Sequence, residues 1–156
     1  MPINSLSFEV EPLNPPAQMA LSVVAVVDRR RFIEIVSEFE RQQGFSPTDG
    51  YGGLVPEFFQ FGPLDDYFQG RWQLAADLLS GQIFVLGCEC GEVGCWPLVC
   101  RITEVAGYVV WDRFSQPHRP ERDYSKLGPF RFEAAQYICA VAALKEQLAS
   151  VTPPPA

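Results

Sequence analysis

Leu6, Phe8 and Val10 alternate with Ser5, Ser7 and Glu9, the period-two pattern of a strand with one buried and one wet face. Asn14-Pro15-Pro16 breaks the alternation. Residues 20–27 then carry small or apolar side chains at nearly every position, with β-branched residues prominent, as in a strand covered on both faces. The two are expected to pair as a hairpin. Phe32, Ile35, Val36 and Phe39 fall at i, i+3, i+4 and i+7, which predicts a helix packed on that hairpin, with Asp28 as its cap and Gly44 as its stop. Arg29, Arg30 and Arg31 stand at its start, where the helix dipole favours anions. They are expected either in a solvated turn before the helix or against an anion or acidic partner.

Residues 45–62 mix glycine and proline with Tyr51, Phe58, Phe59 and Phe61 and cannot be regular throughout. An ordered covering loop is expected over a recognition loop, since isolated loop aromatics mostly fill core gaps. Pro63, the acids Asp65 and Asp66, and Leu64, Phe68, Ala75, Leu78 and Leu79 propose a second helix ending at Gly81, with Gly70 as a break point. Strands are expected at 83–87 and 97–105. Ala106-Gly107 then turns the chain into 108–114, in a register that sets Ile102 opposite Trp111 and Arg101 opposite Asp112. After a polar loop over 115–128, Ala134, Tyr137, Val141, Leu144 and Leu148 mark a closing helix. The expected fold is α+β: an antiparallel sheet from two hairpins, 6–27 and 97–114, joined by the strand at Ile83, with about three packed helices. One domain is expected over 1–150, with a disordered Pro-rich tail over 151–156.

Composition narrows the function classes. An apolar fraction of 47% with 13% aromatics excludes a disordered chain, and the longest apolar runs, 23–27 and 140–144, are far too short to span a bilayer. With 19 acidic against 12 basic residues, the net charge of −7 repels a phosphate backbone or an anionic leaflet, and no basic stripe reverses it locally. A protein or small-molecule partner is therefore expected, and neither nucleic acid nor membrane. The first residues lack the charged start and apolar stretch of a signal peptide, so a cytoplasmic setting with reduced thiols is expected. Gly50-Tyr51-Gly52-Gly53 lacks the lysine of a phosphate loop and no G-x-S-x-G occurs, which disfavours nucleotide hydrolysis and α/β-hydrolase chemistry.

The candidate chemistry lies in Gly87-Cys88-Glu89-Cys90-Gly91-Glu92-Val93-Gly94-Cys95-Trp96-Pro97-Leu98. A tight glycine-rich turn can bring Cys95 back to Cys88 and Cys90, and zinc needs four ligands, so His118, the one histidine, completes a candidate set. Cys100 is set against the core by its place between Leu98 and Ile102. Three readings of the loop stand side by side: inert reduced cysteines, structural zinc, and thiol redox or nucleophilic chemistry. Glu89 and Glu92 would raise a neighbouring thiol pKa, so an activated thiolate needs a nearby cation.

That cation could come from the segment 111–124, which holds His118 with Arg113, Arg119 and Arg122, beside Trp111 and Tyr124. The alternative for the arginines is surface pairing with Asp112, Glu121 and Asp123. Cys139 lies off the apolar stripe of the last helix and is expected to serve packing.

These stretches resemble a family of uncharacterised bacterial proteins with a similar G-C-x-C-G-x-x-G-C-W-P-L loop, followed by W-x-x-F-x-x-P-H-R and Y-x-x-L-G-P-F-x-F. They fall here at 87–98, 111–119 and 124–132. The resemblance covers roughly the last half of the chain; it implies no activity or catalytic residue, and it makes the pairing of the cysteine loop with the His118 loop a feature to test. The expectation is a non-enzymatic binding or accessory protein, with the loop bracing the sheet. Against it stands a thiol enzyme using Cys88, Cys90 or Cys95 with His118 or Arg119.

Overall fold

The computed structural model describes residues 3–12, 20–56, 58, 62–71, 81–90, 92–93 and 95–151. Its elements are β1 (Leu6–Pro12), β2 (Leu21–Val27), β3 (Arg30–Arg31), α1 (Phe32–Gln43), β4 (Tyr51–Gly52), α2 (Leu64–Tyr67), β5 (Gln82–Cys88), β6 (Leu98–Val105), β7 (Tyr108–Ser115), β8 (Phe130–Glu133) and α3 (Ala134–Val151). Every ladder between these strands is antiparallel. The class is α+β, as the pattern predicts. Of the tail expected over 151–156, Val151 instead ends α3, while 152–156 lie outside the described residues, as do Phe59, Phe61 and the stretch with Ala75, Leu78 and Leu79.

Instead of one sheet there are two, β1-β2-β3 and β4-β5-β6-β7-β8. Isolated bridges join them at both margins. Val23 and Leu54 exchange N–H···O bonds of 2.7 and 2.8 Å, and the Asn4 N–H donates to the Arg131 carbonyl at 2.7 Å. Since Leu54 lies just beyond β4 and Asn4 just before β1, the strands follow one another around a closed ring, β1-β2-β4-β5-β6-β7-β8 and back. Each bridge pairs part of an edge that would otherwise stay open. Two glycines let the ring close. A Cβ on Gly53 would stand 2.3 Å from Ser22 Oγ and 2.5 Å from the Val23 carbonyl, and one on Gly52 would stand 2.8 Å from the Cys88 carbonyl.

Local sequence accounts for most elements. In β1 the alternation puts Leu6 and Phe8 inside, while β2 is buried along nearly its whole length. The β6–β7 register is the predicted one, Ile102 opposite Trp111 and Arg101 opposite Asp112. Ala106 and Gly107 both take positive φ between these strands, as a type I′ turn requires. Asp28 departs from its expected role. It and Arg29 have φ of 52° and 69°, so they turn the chain from β2 into β3, and helix α1 starts later, after Arg31. The Asp28 carboxylate accepts from Asn4 Nδ2 and the Ser5 N–H rather than capping the helix. The arginines find acidic partners within the chain: Arg30 pairs with Glu38, and Arg31 forks onto Glu11. Gly44, with φ of 77°, ends α1 as expected. Of the expected second helix, Leu64–Tyr67 is helical among the described residues, and Gly70 breaks it at φ of 78°, as its position predicts. Strand β8 adds to the predicted elements: its four residues, alternating Phe130-Arg131-Phe132-Glu133, run straight into the start of α3, so they carry too short a period-two signal of their own.

One apolar cluster draws on both sheets and on α1 and α3. Trp111 sits fully buried within it, edge-on to Phe32 at 5.6 Å and Phe132 at 5.1 Å, with Nε1 donating to the Tyr137 hydroxyl. Trp111, grouped above with the His118 segment, thus lies on β7 within the core. Among the described residues no helix is long and apolar enough to cross a membrane.

Ring closure at Gly53 has a measurable consequence. Gly53→Ala pushes a methyl group into backbone that cannot retreat, and overpacking of this kind costs about 1–3 kcal/mol. Its urea unfolding midpoint is expected to fall accordingly with the slope preserved; an unchanged midpoint would show that β2 and Leu54 are not held together there.

Candidate functional site

β5 ends at Cys88, paired with Tyr51, and the chain reverses at once. The Cys88 N–H donates to the Glu92 carbonyl at 3.1 Å and the Glu89 N–H to the Gly50 carbonyl at 3.0 Å. This reversal places the sulfurs of Cys88, Cys90 and Cys95 within 4.8 Å of one another. Cys90 and Cys95 are exposed, with sulfurs 3.7 Å apart, and Cys88 is half-buried. Backbone N–H groups of Cys90 and Glu92 point at the sulfurs of Cys88 and Cys90. Burial pushes the Cys88 thiol up to about 11. Burial acts the same way on Cys90, but the Glu92 N–H and the neighbouring thiols outweigh it and hold Cys90 below the usual thiol range. Cys95 is raised by its hydrogen bond with Cys90.

The other candidate ligands lie apart. His118 is exposed on a turn, its backbone N–H bonded to Gln116 Oε1 at 2.7 Å, and its imidazole is not a member of the group of ligand atoms within 4.8 Å. Cys100 is fully buried in β6, as its position predicts. Cys139 is exposed on α3 rather than packed, because it falls on the outer face beside the exposed Ile138.

The two loops nevertheless meet, through the residue after Cys95. The Trp96 ring packs 6.0 Å from Tyr51, with the Arg119 guanidinium over it at 5.0 Å and that of Arg122 at 5.5 Å. A desolvated cation over an indole face is worth up to about 2 kcal/mol. Gly50 makes room for this ring, since a Cβ there would stand 3.0 Å from Trp96 Nε1. Surface pairing of the arginines with Glu121 and Asp123 is therefore not what Arg119 and Arg122 do. Arg122 is buried, and its guanidinium bonds Glu40 at 3.2 Å and the Pro47 carbonyl at 2.7 Å. Asp112 is held by Arg101 across the β6–β7 ladder.

Glu40 is the residue that sequence reasoning missed. It is fully buried in α1, and its Oε2 accepts from the hydroxyls of Tyr51 and Tyr124 as well as from Arg122. The signal was present: Glu40 follows Val36 by four positions, so it lies on the apolar stripe, where an unpaired charge would be prohibitive. Burial, with the Glu40 carboxylate beside it, pushes Tyr124 up to about 12, and burial drives Tyr51 higher still. Both phenols therefore remain neutral donors.

Comparison with family models, curated proteins and solved structures finds no match in any of the three, so the chemistry of this site rests on its own geometry.

The raised phenols make the fold sensitive to alkali. Their folded values lie above the ordinary 10.0, so the unfolded chain releases these protons first. The stability they contribute is whole below pH 10 and is lost as pH rises towards 12. The melting temperature is expected to fall steeply across that window, and Tyr124→Phe, starting lower, is expected to fall less steeply. Parallel slopes for the two proteins would assign the alkaline loss to other groups.

Proposed function

We propose that this chain is a metal-binding accessory protein that holds one zinc ion through Cys88, Cys90 and Cys95. It works in the cytoplasm, where the resting state of the thiols is reduced, and a protein or small-molecule partner meets the ion at its fourth position. The observation that carries this reading is the spacing of the sulfurs. Zinc–thiolate bonds of about 2.3 Å in a tetrahedron separate the sulfurs by about 3.8 Å. Cys90 and Cys95 stand 3.7 Å apart, and the full trio lies within 4.8 Å. Little rearrangement separates this arrangement from a coordination shell.

Backbone N–H groups aimed at two of the sulfurs support the same reading, because they stabilise the thiolate form that a metal requires. Glu89, Glu92 and a net charge of −7 add an attractive field for a cation. The set of three differs from a closed four-ligand site, which is the structural arrangement; three protein ligands leave a position for exchange. Exposure of Cys90 and Cys95 gives that position access to solvent. A thiol enzyme is the weaker reading, because it needs a cation beside a sulfur, and Arg119 and Arg122 are committed to Trp96 and Glu40.

The test is titration of chelator-treated protein with Zn²⁺ against a chromophoric competitor, and with Co²⁺ followed by its thiolate charge-transfer absorption. One equivalent is expected to bind, Cys95→Ser is expected to abolish binding, and His118→Ala is expected to retain it. Absence of the charge-transfer band, or binding indifferent to Cys95→Ser, would overturn the proposal.

A further inference from the structure

Cys90 and Cys95 are both exposed and their sulfurs stand 3.7 Å apart, whereas a disulfide needs about 2.05 Å. Closing that gap asks for a shift of under 2 Å, roughly the difference of those distances, at the tip of a surface loop. Cys88 is placed differently. It belongs to β5, is paired with Tyr51, and its thiol is half-buried. Its backbone is held by the ladder on one side and by the Glu92 carbonyl on the other.

We infer that Cys90 and Cys95 form a thiol–disulfide exchange site for low-molecular-weight disulfides, yielding an intramolecular bridge that leaves Cys88 as a free thiol. The thiolate of one of the pair attacks a sulfur of the small disulfide, forming a mixed disulfide and expelling one small thiolate. The thiol of the other gives up its proton and attacks the protein-side sulfur, which forms the Cys90–Cys95 bond and expels the second small thiolate. Two protein thiols are oxidised and one small disulfide is reduced to two thiols, so electrons and protons balance. An exposed bridge of this kind is the readily reversed type. The bridge itself does not depend on the zinc reading. Its consequence does: two of three ligands are lost on oxidation, so metal-bound and bridged states exclude each other.

The test uses full-length protein carrying Cys139→Ser, which removes the one exposed cysteine outside the loop among the described residues. Treated with chelator and glutathione disulfide, it is expected to lose two alkylatable thiols and two hydrogens of mass, with peptide mapping linking Cys90 to Cys95 and Cys88 still alkylated. A bridge through Cys88, a persistent glutathione adduct or no reaction would overturn the inference. Saturation with Zn²⁺ before treatment is expected to block the bridge. Should the bridge form while zinc fails to bind, the metal reading falls and the exchange site stands.

Discussion

The carboxylate of Glu40, taken out of water in the last turn of α1, is the constraint on which this side of the molecule depends. Desolvating a charge is costly enough that it persists only with close partners, and removing one partner of a buried pair typically costs about 3–5 kcal/mol. Its partners come from far apart in the chain: Tyr51 of β4, and Arg122 and Tyr124 from the segment after β7. Arg122 extends the network to the Pro47 carbonyl and the rings of Phe45 and Trp96. A single buried charge thereby ties α1, the loop that follows it, the His118 segment and the root of the cysteine loop.

This arrangement separates two tasks. The arginines act beneath the cysteine loop, where their charge is spent on a buried acid and on an indole face. Fixing Trp96 fixes the chain one residue from Cys95, while the Cys88–Tyr51 pairing fixes the other end of the loop. Between those two anchors, the three sulfurs converge at the surface. The thiols feel chiefly burial, nearby backbone N–H groups and one another. Such surroundings suit a soft ligand set better than a solitary nucleophile, whose activation needs a positive neighbour.

Ring closure serves the same end. β4 is only two residues long and would be a weak edge alone, but Leu54 bonds to Val23 beside it and Gly52 lets β5 approach closely. The platform under the cysteine loop is thus held from both sides, by β2 through Leu54 and by β6 through β5. Short strands with close backbone contacts take their order from the whole ring rather than from their own length.

The residues themselves determined whatever depends on near neighbours. The alternation in β1, the stripe of α1 and its stop at Gly44, the Ala106-Gly107 turn with its register, and the gathering of three thiols that lie within eight residues of one another are all local geometry, which side-chain period and short chain separation encode directly. The α+β class follows from the same patterns. Tertiary structure alone decided the partners of Arg122, Trp96 and Glu40, because a charge buried 82 positions from its counterion has no neighbour in sequence to reveal it. It also split one expected sheet into two that close on each other, moved Trp111 into the core, left Cys139 exposed and kept His118 out of the thiol cluster. Each of these is an outcome of long-range packing, where the burial of distant groups against one another outweighs what any short stretch prefers.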